Sequence, residues 1–143
     1  MDRPAHGHEP VMMSEVLLHL DPQPGHVFVD FGDDELTRGR PHPMIDNSLR
    51  VEWVARQARP GSVVLLDVVL GHGAHPDPAS ELGPVVASAV ATGAAVVVSL
   101  CGTSGDPQGL ERQALALQAA GASVHLSNAA ATRAALALLG GAS

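Results

Sequence analysis

Residues 62–70 read Ser-Val-Val-Leu-Leu-Asp-Val-Val-Leu, and Gly-His-Gly-Ala-His-Pro-Asp-Pro-Ala-Ser follows directly over 71–80. The first stretch is a continuous apolar run, the pattern of a strand buried on both faces, as strands of parallel sheets are. The second is rich in glycine and proline and reads as a loop. This pairing recurs downstream. A helix is expected over about 80–92 with a break at Gly93, then a β-branched strand over 94–100 and the loop CGTSGDPQG over 101–109. A helix over about 110–120 ends at Gly121, suited to a left-handed cap, before a short strand over 123–126. Ser127 or Asn128 caps a last helix that Gly140-Gly141 ends.

The same reading extends upstream. Val27-Phe-Val-Asp-Phe31 is expected as the first strand, and residues 33–46, with Pro41 and Pro43, as a loop. Asp46 or Asn47 caps a helix to about Arg59, with Leu49, Val51, Trp53 and Val54 available for packing. Residues 11–20 carry the spacing of a short amphipathic helix, so 1–24 is expected as an extension and 25–143 as the domain. Strand, loop and helix alternate four times. Right-handed crossovers then predict an α/β fold: a three-layer αβα sandwich with a flavodoxin-like parallel sheet of about four strands.

Composition narrows the function. With 143 residues and 45% hydrophobic content the chain can bury one core, which argues against a disordered chain. No apolar run approaches the roughly 18 residues of a membrane helix, and no secretory leader pattern opens the chain, so a cytoplasmic location is expected. All eight basic residues are arginines, so Schiff-base or P-loop lysine chemistry is excluded within the chain. Net charge is −7, concentrated in residues 1–46, and only three Phe and Trp residues are present. Nucleic acid and anionic membranes are therefore poor partners. Cys101, alone, excludes an internal disulfide and a cysteine zinc site, and is expected as a small buried residue.

In a parallel sheet, the loops that leave the strand C-terminal ends share one rim, where ligands bind. The long polar loops all fall there. Arg38 and Arg40 flank Gly39 and offer two forked donors for a carboxylate or phosphoryl oxygen, with His42 close behind; pairing with Asp33, Asp34 and Glu35 is the equally weighted alternative. Gly71, His72, Gly73 and His75 belong to the second loop, where His72, His75 and Asp77 form a string that a metal could use, although capping, a buried hydrogen bond or acid–base work fits it better. Gly102, Thr103, Ser104 and Gly105 offer hydroxyls and backbone N–H groups beside a helix start, a geometry that cradles anions, against the plainer reading of a turn.

Three long strings carry a resemblance: GDDELTRGRPHPMID (32–46), LLDVVLGHGAHPDPA (65–79) and CGTSGDPQGLERQ (101–113), with SNAAA at 127–131. From about residue 27 to 140 the chain resembles the FdrA family, acyl-CoA synthetase-like relatives of the succinyl-CoA synthetase alpha subunit. The resemblance covers that family's flavodoxin-like C-terminal part. It implies acyl or carbamoyl phosphate and thioester-type chemistry within an assembly, with some relatives linked to oxamate carbamoyl transfer. Succinyl-CoA synthetases carry a phosphohistidine loop with a Met-Gly-His core at the corresponding place. The third loop here has no histidine, so that step is not carried over. Residues 8–30 also resemble the opening of the ribosomal-RNA cytosine N4-methyltransferases, but the chain continues into Phe31-Gly-Asp-Asp-Glu35, without a methyl-donor loop.

The expectation is thus a domain that binds a small anionic acyl or carbamoyl substrate in an acyl-CoA synthetase or carbamoyltransferase-type complex. The arginine pair would hold the anion, and loops 71–75 and 102–105 would complete the pocket. No cofactor is expected on this chain alone, since CoA or nucleotide would need partner domains, and no metal is expected. A homo-oligomer or a partner subunit is expected. A noncatalytic assembly or regulatory module is the alternative; a metal-dependent enzyme or a methyltransferase relic ranks lower.

Overall fold

A computed structural model describes residues 27, 29, 31, 34–39 and 41–140. The expected helix over 11–20 lies outside them. In chain order the elements are α1 (Asp34–Thr37), α2 (Ser48–Gln57), β1 (Val63–Val69), α3 (Pro78–Ala91), β2 (Ala95–Cys101), α4 (Leu110–Ala119), β3 (Ser123–His125) and α5 (Asn128–Gly140). The strands form one parallel sheet in the order β1-β2-β3, with Val63 opposite Ala95, Val69 opposite Cys101 and Ser99 opposite His125. The α/β architecture with helices on both faces is the one expected.

Strand parity builds the two faces. Leu66 and Val68 of β1, with Leu70 just beyond it, join Val96, Val98 and Leu100 of β2 on one face, where Leu82, Val85, Val86 and Ala89 of α3, Leu117 of α4 and Val54 of α2 cover them. On the other face Val97 meets Ala131 and Ala135 of α5, with Val63 and Leu65 packed alongside. The first face is a thick aliphatic core; the second is thin, because alanine lets α5 lie close.

The fourth strand is a correction. Among the described residues the sheet has three strands. Val27 and Val29 lie in irregular backbone and Phe31 in a turn. Val27 is 61% exposed, and the Phe31 ring meets Trp53 edge-on at 6.1 Å instead of entering a sheet. The outer edge of β1 is occupied differently: the Arg50 guanidinium reaches from α2 and donates to the Asp67 carbonyl at 2.7 Å. That side chain, only 8% exposed, fills a position where a neighbouring strand would donate.

Smaller differences have local causes. The segment read as a loop contains the single-turn helix α1 before the prolines. Helix α3 starts at Pro78 rather than 80, because proline is favoured in a first turn and Asp77 caps it. Asp46 and Asn47 divide the work at α2. The Asp46 side chain accepts the Ser48 N–H at 2.9 Å, while Asn47, 2% exposed, turns its amide to Glu81 of α3 at 3.0 Å. Cys101 is exposed, not buried, since it is the last residue of β2 and lies where helical cover ends. No helix among the described residues is long and apolar enough to cross a membrane.

Candidate functional site

Because the strands are parallel, the loops after β1 and β2 leave from the same rim, and two buried glutamines lock them together. Gln108, at 2% exposure, accepts the Gly71 N–H on Oε1 at 3.1 Å and donates from Nε2 to the Gly71 carbonyl at 2.7 Å and the His75 carbonyl at 3.2 Å. Gln113, fully buried, accepts the Ala79 N–H at 2.9 Å and donates to Asp77 Oδ1 at 2.9 Å. An amide has two donors and one strong acceptor in one plane, so a single glutamine can satisfy several loop groups at once. Both were missed in the sequence reading. The signal was present in residues 105–113, GDPQGLERQ, where two glutamines bracket the start of a helix.

Asp77 gathers the second set of contacts. It caps α3 by accepting the Ser80 N–H at 3.4 Å, and it also takes donors from Gln113 and from Arg112 Nη1 at 3.2 Å. The Gln113 hydrogen bond holds its carboxyl below the usual carboxylate range; partial burial opposes this, and Arg112 adds to the lowering.

His75 brings in the segment before α2. Its N–H donates to the Met44 carbonyl at 2.6 Å, its Nδ1 accepts the Asp77 N–H at 3.0 Å, and its Nε2 lies 3.2 Å from Glu81 Oε1. With Nδ1 accepting, Nε2 is the ring nitrogen left to donate, and it faces Glu81. Glu81 is in turn held by Asn47. Both ring nitrogens of His75 are therefore engaged in structure.

The rim thus joins Gly71, His72, Gly73 and His75 to Gly102, Thr103, Ser104 and Gly105, and Met44 brings His42 to the neighbouring segment. His72 is exposed between Gly71 (φ 141°) and Gly73 (φ 86°). His42 is exposed and accepts the Met44 N–H on Nδ1 at 3.2 Å. Arg38 and Gly39 form the exposed turn that closes α1, and Arg40 lies outside the described residues. The structure ties neither Arg38 nor Gly39 to the two loops. The string His72, His75, Asp77 separates into different roles, and among the described residues no group of three His, Cys, Asp or Glu side chains could hold a metal.

The third loop is built as turns rather than as an open cradle. Thr103 donates its N–H to Asp106 Oδ2 at 2.6 Å, and Asp106 and Gly109 donate back along the loop to Thr103 and Asp106 carbonyls. Gly102 is there for space: a Cβ would come within 2.9 Å of Leu70 Cβ and 3.0 Å of Asp106 Oδ2. Thr103, Ser104 and Gly105 are exposed around it.

Arg112 is engaged by Asp77 and the Gln108 carbonyl, and Asp77, Glu81 and Asp106 contribute negative charge. Two concavities occur elsewhere: a cleft between Phe31, Leu36, Pro41, Pro43 and Leu49, and a shallow apolar surface formed by Gly61, Val63, Ala95, Ala137 and Leu138. Neither is lined by residues 71–77 or 102–109. At the rim His72, Gly73, Thr103, Ser104 and Gly105 are exposed.

A parallel α/β domain with a polar rim at its strand ends defines a broad class, and comparison with known proteins narrows it. The CoA-ligase family model matches residues 12–138, and the chain belongs to that family. The match takes in residues 12–30, most of the stretch that resembles the RNA methyltransferases. The chain is also 38% identical over 104 residues to the uncharacterized protein YahF of Escherichia coli K12, an alignment that covers 67% of this chain and 20% of YahF. The chain thus spans about a fifth of the length of that relative.

Proposed function

We propose that this chain is an FdrA-like domain of an acyl-CoA synthetase or carbamoyltransferase-type assembly, and that its rim forms one wall of a site for a small anionic acyl or carbamoyl substrate. The observation that carries this reading is the convergence of segment 41–46 and loops 71–77 and 102–109, held in one piece by His75, Gln108 and Gln113. A wall fixed in advance loses little entropy when a ligand arrives. Family membership supports the ligase-type chemistry, and the exposure of His72, Thr103 and Ser104 on the rim supports a site completed by another domain or subunit. CoA and nucleotide are assigned to such partners, and no phosphohistidine step is assigned to loop 102–109, which has no histidine.

Arg38 and Arg40 are the residues proposed to hold the anion, with His42, His72 and the backbone of loops 71–75 and 102–105 around it. A thermal-shift screen against acetyl phosphate, carbamoyl phosphate and dicarboxylates tests this. Ligand at a hundred times its Kd should stabilise by about 2.7 kcal/mol. Arg38→Ala and Arg40→Ala should abolish that shift while leaving the unliganded melting temperature unchanged. Normal binding by both variants assigns the arginines to structure.

A second reading, a noncatalytic assembly module, is favoured by the Thr103 N–H being occupied by Asp106. A wild-type chain that forms a stable oligomer and binds none of these anions supports that reading over the first.

A further inference from the structure

We infer that Gln108 is a positioning residue that sets the shape of the His72 loop, acting on any ligand there only through that loop. Strand β1 ends at Val69, and the last ladder bond beyond it runs from the Leu70 N–H to the Cys101 carbonyl at 2.8 Å. Ladder alternation turns the N–H and C=O of the next residue, Gly71, away from β2 and toward the edge where, among the described residues, no strand partner lies. The Gln108 carboxamide takes that partner's place. It accepts the Gly71 N–H and donates to the Gly71 carbonyl, as a paired strand residue does, and its second Nε2 proton goes to the His75 carbonyl. Both ends of the five-residue loop, 71 and 75, are thereby fastened to one side chain, and the Ala74 N–H closes the turn on the Gly71 carbonyl at 3.3 Å.

No other residue type does this from the same place. Asparagine is one methylene shorter. Glutamate has the length but would face the Gly71 and His75 carbonyls with an acceptor where two donors are needed. Gln108 is itself fixed, since its carbonyl accepts from Arg112 Nη2 at 2.8 Å and from Gln113 Nε2 at 3.3 Å. The grip therefore extends from helix α4 across the rim, and it presents His72 between two glycines on a fastened base. Only the ligand part of this inference rests on the proposed anion site; the loop part does not.

Amide hydrogen exchange and acetyl phosphate titration on wild-type and Gln108→Ala chains separate the two parts. The expected result is exchange faster by about tenfold or more at residues 71–75, with β2 residues 96–100 unchanged, together with at least tenfold weaker acetyl phosphate binding. Unchanged exchange at 71–75 overturns the inference. Faster exchange with unaltered affinity overturns the positioning role. A wild-type chain that binds no acetyl phosphate counts against the anion site, and the exchange result still decides whether Gln108 sets the loop. If Gln108→Ala does not fold, Gln108→Glu supplies the readout through pH. Protonated, its carboxyl supplies one of the two donors and ionised it supplies none, so loop exchange relative to wild type should be nearest normal at acidic pH and rise as pH increases. A difference from wild type that is independent of pH overturns the grip.

Discussion

Asp77 caps a helix, anchors Gln113 and pairs with Arg112, all through one carboxylate. Replacing it by alanine removes the cap and leaves the buried Gln113 with one donor short of a partner. Asp77→Ala should therefore lower stability by about 1–2 kcal/mol, read as a shift in the denaturant midpoint. The pH dependence follows from the lowered carboxyl. A group whose folded pKa is depressed contributes stability above its unfolded value, near 4, and loses it as pH falls through the folded value. The gap between wild type and Asp77→Ala should thus be full at neutral pH and narrow slightly as pH falls below about 4. With 39% of the Asp77 side chain exposed, solvent screening keeps the pH-linked share small.

At the scale of elements, the two faces of the sheet should respond differently to substitution. Leu82 is fully buried in the thick core, and truncation to alanine should cost about 2–5 kcal/mol through lost transfer energy and a cavity. Ala135 is 1% exposed under the thin face, where α5 packs through alanines against Val97. Ala135→Leu should push the helix off the sheet and cost about 1–3 kcal/mol by overpacking. Chemical denaturation of both variants checks the pair. These elements were legible from the chain because strands covered on both faces are mostly apolar, as 62–70 and 94–100 are despite Asp67 and Ser99. The segment 27–31 has the same local pattern, yet Val27 stays exposed, since the edge it would extend is already met by Arg50. Arg50, Gln108 and Gln113 were not legible for a related reason. Nothing in their local spacing distinguishes a buried polar side chain from an exposed one; only partners 17 to 37 residues away make their burial tolerable. The same applies to His75, whose metal-like spacing conceals partners on α3 and at Met44.

At the scale of the whole molecule, the sheet is a platform and the rim is its chemically distinctive end. Helices α3 and α4 deliver Asp77, Glu81, Arg112 and Gln113 to that end, and the loops between strand and helix are tied into one surface. The opposite end carries short turns such as Gly61 and Gly93 beside an apolar surface. The chain belongs to the CoA-ligase family and spans about a fifth of the length of its E. coli relative. The most direct measurement is a backbone amide chemical-shift titration of the wild-type chain with acetyl phosphate and carbamoyl phosphate. The account predicts saturable shifts at residues 38–44, 71–75 and 102–105 together, with the 61–63 and 93–95 end silent. No saturable shifts with either ligand, or shifts centred on that opposite end, would contradict it.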